Sequence, residues 1–255
     1  MELIRKSVAK HTQRFDPNNP QDFIDHYLVK IRNTTNPTST FHGENGAKNL
    51  EAVVADLFAA GSETSSNTLS FAMLYLILNQ EAQQRAQKEL DFVIGSSRQV
   101  SLSDKPSLPY TEATLLEILR LSSIAPLGLP HRMLADTMFH GYFLPKDVAV
   151  FSNLYAIHHD PTIWGEDVNE FRPERFLSED ETRVIHHEAL MPFSVGRRAC
   201  IGEVFARESL FLFLASILHR FNIESDPECL VLAVETVAGF AVEPKPFKFV
   251  LTLRN

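Results

Sequence analysis

Cys200 stands in the stretch PFSVGRRACIG (192–202), where two glycines and two arginines surround a lone thiol and an apolar run, GEVFARESLFLFLASILHRF, begins directly behind it. A thiolate needs nearby positive potential, which the free backbone N–H groups of a helix N-terminus supply. Gly196 and Gly202 allow the turns and close backbone approach that a large planar ligand requires, and Arg198 is placed to meet an anionic group on it. Phe193, Gly196, Arg198, Cys200 and Gly202 fit F-x-x-G-x-R-x-C-x-G. Ordinary residue frequencies produce that pattern in such a chain on the order of once in ten thousand or less. For the loop alone, the competing reading is a buried, inert cysteine that caps a core helix.

Two further groups of residues carry possible chemistry. AAGSETSS (59–66) interrupts an otherwise apolar helical pattern, where a Gly costs up to ~1 kcal/mol relative to Ala. It reads either as a break between two helices with Ser62 as a cap, or as a local opening. In the second case Gly61 lets a flat ligand approach and the Thr64 hydroxyl bonds back to the Ala60 carbonyl. Glu63 then adds a carboxylate, so that acid and alcohol together can pass protons. The other group is Glu117 and Arg120 in LLEILRL, which share one helix face. An exposed pair is worth little. Within Leu115, Leu116, Ile118, Leu119 and Leu121 the pair is expected to be at least partly buried and to need a further partner, for which RPERFL offers Arg175.

The elements that must position these residues are mostly helices. Leu50, Val53, Val54, Leu57 and Phe58 begin a helical pattern over about 48–78, which would be ~45 Å long. EAQQRAQKELDFVIG follows with Gly95 as C-cap, and a helix over about 109–122 stops before Pro126. Short strands are expected around Gly141 and Pro145, and AIHHDPTIWGEDVNEFRPERFL is irregular. A buried helix follows Gly202, and FKFVLTLRN alternates as a strand with Phe247, Phe249, Leu251 and Leu253 on one face. Ahead of the long helix, a turn at 16–20 leads into a short amphipathic helix, and NTTNPTSTFHGENG reads as a loop. The expected class is mainly α with small β sheets.

Composition excludes several functions. A chain of 255 residues with 44% hydrophobic and 22% charged residues can bury a substantial core as one large domain or two ordinary ones. A net charge of -8 argues against nucleic acid as a main partner. Two cysteines form neither a disulfide framework nor a zinc spacing, which suits a reducing compartment. No signal-peptide h-region opens the sequence, and the apolar stretches Leu210–Ala215 and Phe71–Leu78 fall far short of a membrane span. The pairs His158/His159 and His186/His187 have poor geometry for joint metal binding. Trp164 reads as packing and Cys229 as an ordinary thiol.

FSVGRRACIG resembles the heme-binding loop of the cytochrome P-450 superfamily, the heme-thiolate monooxygenases. AGSETS resembles that family's oxygen-activating helix, EILR its ExxR element and FRPERF its PxRF element, all in the family's order. FDPNNPQDFIDHYL, KPSLPYTEATLLEILRL and LGLPHR are similar to the animal microsomal, family-two-like group. The resemblance implies the carboxy-terminal, heme-binding half of the fold. This comprises the oxygen-activating helix at about 48–78, the ExxR helix at about 109–122, the PxRF meander and heme loop at 171–202, and a final helix and β hairpin at 203–255. It implies that Cys200 is the axial ligand of heme b iron and pushes electron density toward oxygen. Thr64 and Glu63 would deliver protons, and Arg198 and His131, with Arg132, would hold the propionates. Phe193, Gly196, Gly202, Ala60 and Gly61 would line the cofactor, and Glu117, Arg120 and Arg175 would form a structural triad. Phe58, Ala125, Leu127, Leu129, Val237 and Phe240 would face a lipophilic substrate.

The implied reaction inserts one oxygen atom of O2, with electrons from NADPH through a flavoprotein reductase and a cytochrome b-type protein as a second donor. Arg197, Arg198, Arg207 and Arg220 outnumber Glu203 and Glu208, so the cysteine side could dock an acidic reductase. The longer parent would sit on the cytosolic face of the endoplasmic reticulum membrane, anchored by its amino-terminal part. The chain alone is then expected to bind heme weakly and to aggregate, and a catalytically silent heme-binding or interaction fragment is the competing class.

Overall fold

Three helices bring a small set of apolar residues together in the first compact unit, which extends to Glu63. The computed structural model describes residues 2–229, 233–239 and 241–254. Helix α1 spans Glu2–Arg14, α2 Phe23–Arg32 and α3 Gly43–Leu78. Ile4 and Val8, one helical turn apart, pack with Ile24 and Leu50 at the centre, with Tyr27, Leu28, Ile31 and Val54 around them. Asp22 caps α2 by accepting from the Asp25 N–H at 3.0 Å, and its other carboxylate oxygen lies 2.7 Å from His11 Nε2, joining α1 to α2.

Two sequence expectations for this unit are corrected. Helix α1 was not foreseen, because only Ile4 and Val8 are buried in an otherwise polar segment and two positions make no visible period. Helix α3 starts at Gly43 rather than near 48, taking in the end of the expected loop. Gly46 misled the composition: a Cβ there would lie 2.4 Å from the Phe41 carbonyl oxygen, so glycine permits close packing inside a helix.

The second unit runs from Thr64 onward. After α3 come α4 (Gln80–Ile94), a 3-10 segment (Leu102–Ser107), α5 (Pro109–Ser122), and strands β1 (His131–Arg132), β2 (Thr137–Phe139), β3 (Tyr142–Leu144) and β4 (Ala149–Val150). Short helices α6 (Leu154–His158) and α7 (Pro161–Trp164) lead through 3-10 turns at Pro173–Phe176 and Gly196–Arg198 to α8 (Glu203–Arg220). Strands β5 (Phe221–Ser225), β6 (Thr236–Val237), β7 (Glu243–Pro244) and β8 (Phe249–Leu253) complete the order. The strands pair antiparallel as β1–β4, β2–β3, β5–β8 and β6–β7. Between β2 and β3, His140 and Gly141 both take positive φ (45° and 85°), as a two-residue hairpin turn requires.

The core gathers around α5, where every residue from Tyr110 to Ser122 except Glu112 is buried. Phe71 and Leu76 of α3, Leu90 of α4, and Phe211, Leu214 and Leu218 of α8 pack into the same cluster. A helix buried all round is held by its neighbours, so α5 is the fixed element of this unit. Helix α8 is less buried than its composition implies: Val204 and Phe205 in its first turn are 70% and 76% exposed. The alternation in β8 gives no buried face either, since β8 belongs to a two-stranded ladder and all five of its residues are exposed. Among the described residues no helix is long and apolar enough to cross a membrane.

Buried glutamines of α4 stand in for a third strand beside β5. Gln83 Nε2 donates to the Ile223 carbonyl at 2.9 Å, the Ile223 N–H donates to Gln83 Oε1 at 2.7 Å, and Gln87 Nε2 reaches the Phe221 carbonyl at 3.0 Å. Gln83→Ala would strand the buried Ile223 N–H, while the Ile223 carbonyl keeps the Gln80 Nε2 donor at 3.0 Å, and is expected to cost ~1–3 kcal/mol. Chemical denaturation measures this directly; a loss below ~0.5 kcal/mol, the size of an ordinary surface substitution, would show that water replaces the amide there.

Candidate functional site

Glu117 and Arg120 are both completely buried on α5, and charges in a dry core persist only when their hydrogen-bonding atoms are met. Arg120 Nε and Nη2 donate to the two carboxylate oxygens of Glu117, each at 2.7 Å. Arg120 Nη1 donates to the His158 carbonyl at 2.7 Å, and the guanidinium carbon lies 5.2 Å from the centroid of the Trp164 ring. Glu117 Oε1 also accepts the Arg172 N–H at 3.0 Å and Arg175 Nε at 3.3 Å. Arg175 Nη1 then reaches the Trp164 carbonyl at 2.6 Å and Asp167 Oδ1 at 2.9 Å, and Nη2 donates to the Asp167 carbonyl. The Arg175 hydrogen bond holds the Asp167 carboxyl below the usual carboxylate range. The structure therefore joins Glu117, Arg120 and Arg175 in one cluster. Their guanidinium groups fix the irregular 158–176 segment by its carbonyls, where it has no ladder of its own.

His158 was overlooked in the sequence, where only its adjacency to His159 could be weighed. It is completely buried. The Met191 N–H donates to its Nε2 at 3.1 Å. Nδ1 then carries the proton and donates to Ser123 Oγ at 2.9 Å, and that hydroxyl donates to the Arg120 carbonyl at 2.9 Å. Ser123 ends α5 in the left-handed region (φ 38°). Burial, then the neighbouring His159 and Arg120, push the His158 pKa down to about 4, so the ring is neutral at pH 7.

Met191 leads into the cysteine loop. Ser194 and Gly196 take positive φ of 60° and 77°, and a Cβ on Gly196 would touch nothing, so that glycine serves the backbone angle rather than space. The Cys200 N–H closes the loop on the Phe193 carbonyl at 2.9 Å, and α8 begins three residues later. A Cβ on Gly202 would sit 3.9 Å from Cys200 Sγ. The half-buried Phe193 ring carries the Arg207 guanidinium 4.9 Å from its centroid, and Arg207 is held by Glu203 at 2.8 Å.

The Cys200 thiol is exposed, which excludes the inert core cysteine. Val195, Ile201, Val204 and Phe205, its neighbours along the chain, are exposed too, with Ile201 at 92%. Arg198 is exposed and makes no ion pair among the described residues. An accessible soft donor beside apolar side chains and an unneutralised cation fits a flat, apolar ligand with an anionic edge.

The remaining expected residues are spread over other elements. His131 is exposed on β1, while the adjacent Arg132 leans toward Asp147 at 3.3 Å. Helix α3 runs unbroken through 59–66, which removes the two-helix reading, and Phe58 to Thr64 are exposed along it. Phe58, Ala60, Gly61 and Glu63 belong to the first unit, and Thr64 and Cys200 to the second. Ala125 is half-buried, Leu127, Leu129 and Val237 are exposed, and Phe240 lies outside the described residues.

The cytochrome P450 family model matches residues 1–251. The chain belongs to the cytochrome P450 family. It is 40% identical to human cytochrome P450 2J2 over 243 residues, covering 95% of this chain and 47% of that protein. It is 43% identical to rat cytochrome P450 2B2, covering 88% of this chain and 45% of the relative, and 36% identical to human cytochrome P450 2U1, covering 99% and 46%. The chain thus spans a little under half the length of these curated relatives.

Two outcomes follow for this P450 chain. Glu117→Ala leaves the buried Arg120 guanidinium without its carboxylate, while Arg175 keeps Asp167, and is expected to cost ~3–5 kcal/mol, with urea unfolding as the readout; a loss below ~1 kcal/mol would contradict the burial. For His158, the folded pKa of about 4 lies below the ordinary value of 6.5, so the unfolded chain takes up the proton first. Its contribution is present above pH 6.5 and declines as pH falls toward 4, by ~3 kcal/mol in all. Comparing unfolding of the natural chain with His158→Gln across that range isolates this term, and parallel profiles would refute it.

Proposed function

We propose that the chain is the heme-thiolate half of a monooxygenase that inserts one oxygen atom of O2 into a lipophilic organic substrate. The observation that carries this reading is the exposed Cys200 thiol in a loop whose backbone is closed on Phe193, within a P450 chain. Cys200 would hold the iron of heme b as its thiolate, and Arg198 and His131 would meet the propionates. Gly196 and Gly202 would leave room for the ring beside Phe193, and the family resemblance gives Ala60 and Gly61 the same role. When bound, the heme supplies the activation of O2.

The chain's own residues orient and protonate. Thr64 would hold a proton at Oγ1 and Glu63 would replenish it from its carboxyl group. Phe58, Ala125, Leu127, Leu129, Val237 and Phe240 are apolar or small and suit a lipophilic substrate. Electrons would come from NADPH through a flavoprotein reductase, with a cytochrome b-type donor in support, and Arg197, Arg198, Arg207 and Arg220 would form its docking face. The longer parent would work at the cytosolic face of the endoplasmic reticulum membrane.

A second reading, a silent heme-binding or interaction fragment, is favoured by the exposure of the apolar Leu57, Phe58, Ile201, Val204 and Phe205. Heme stoichiometry and product per NADPH separate the two readings, measured for the chain alone and for the chain preceded by a family-type amino-terminal half. The longer protein is expected to be heme-replete and active, and the chain alone to aggregate and load poorly. In the longer protein, Cys200→Ser should abolish the red-shifted ferrous–CO band that marks thiolate ligation, and Cys229→Ser should leave it intact. Dependence on Cys229 would overturn the assignment.

A further inference from the structure

We propose that His158 is a positioning residue that ties the backbone ahead of the Cys200 loop to the buried Glu117–Arg120 pair. The loop's own hydrogen bonds close it without locating it. Ser194 N–H to Met191 O, Ala199 N–H to Gly196 O and Cys200 N–H to Phe193 O all begin and end inside the same segment. Among the described residues, the hydrogen bond from Met191 N–H to His158 Nε2 is the one that leads from 189–200 to a residue outside 187–203.

At the other side of the ring, His158 is held at two points. Its carbonyl accepts from Arg120 Nη1 at 2.7 Å, and Nδ1 donates through Ser123 Oγ to the Arg120 carbonyl. The link therefore runs from a fully buried ion pair, through a rigid ring, to a backbone amide nine residues before the thiol. Only a neutral imidazole offers a donor and an acceptor at opposite ends of one rigid ring. Asn can imitate the Nδ1 donor and Gln the Nε2 acceptor, but neither spans both. What the link serves, a fixed stance of Cys200 toward an iron, rests on the heme-thiolate reading; the link itself does not.

The test uses the heme-free form of the chain preceded by a family-type amino-terminal half, so that aggregation of the chain alone plays no part and the outcome is independent of ligand binding. Hydrogen exchange is followed at the amides of 191–200 and, as an internal reference, at those of α5. His158→Asn is expected to lower protection at 191–200 by ~10-fold or more while α5 stays within ~3-fold, and His158→Gln is expected to restore the loop. Equal losses in loop and helix, no loss with Asn, or equal losses with Asn and Gln would each overturn the proposal. A second measurement needs no variant: 15N shifts of the His158 ring at pH 7 should show a protonated Nδ1 and a bare Nε2. A proton on Nε2 would leave the Met191 N–H without an acceptor and refute the link.

Discussion

A carboxylate without access to water must have its lone pairs met by donors, and the position of Glu117 imposes that demand on everything around it. Four donors answer it, two from Arg120, one from the Arg175 side chain and one from the Arg172 backbone. Such a cluster is not the cheapest way to stabilise a core, since apolar side chains of similar volume often do as well or better. Its contribution is location. The donors left over on the two guanidinium groups reach the carbonyls of His158, Trp164 and Asp167, and so position a stretch that hydrophobic patterning alone would leave ambiguous.

From that anchor, burial decreases outward toward the Cys200 thiol. Helix α5 is buried on all sides, the 158–176 segment is pinned to it by side chains, and the cysteine loop is closed on itself by Phe193 and Cys200. Beyond the loop, the thiol, Ile201 and the first turn of α8 are open to solvent. On the proposed reading of Cys200 as a metal ligand, such a gradient would serve it, because a buried support would keep the exposed sulfur in place while leaving room for a large partner.

Features that create a local physical contradiction could be read in the sequence. A Glu and an Arg among leucines must be paired and buried, so Glu117, Arg120 and Arg175 were found. A thiol between glycines and arginines ahead of an apolar helix has few structural explanations, so the Cys200 loop stood out. Features that depend on tertiary surroundings could not be read. Nothing local distinguishes the buried, bridging His158 from its exposed counterparts, and the two apolar contacts of α1 are too few to form a pattern. Gly46 resembles a loop glycine until the Phe41 carbonyl is seen against it. The openness of Val204 and Phe205 contradicts a composition that reads as core throughout.

The coupling between Glu117 and Arg175 tests most directly whether one buried carboxylate organises the meander. It is obtained from the unfolding free energies of the natural chain, Glu117→Gln, Arg175→Met and the double variant. Residues within one hydrogen-bonded network couple by ~0.5–3 kcal/mol, and the shared Glu117 anchor predicts a value of ~1.5 kcal/mol or more. Losses that add to within ~0.3 kcal/mol would mean that the two residues act separately and that the segment is held by packing instead.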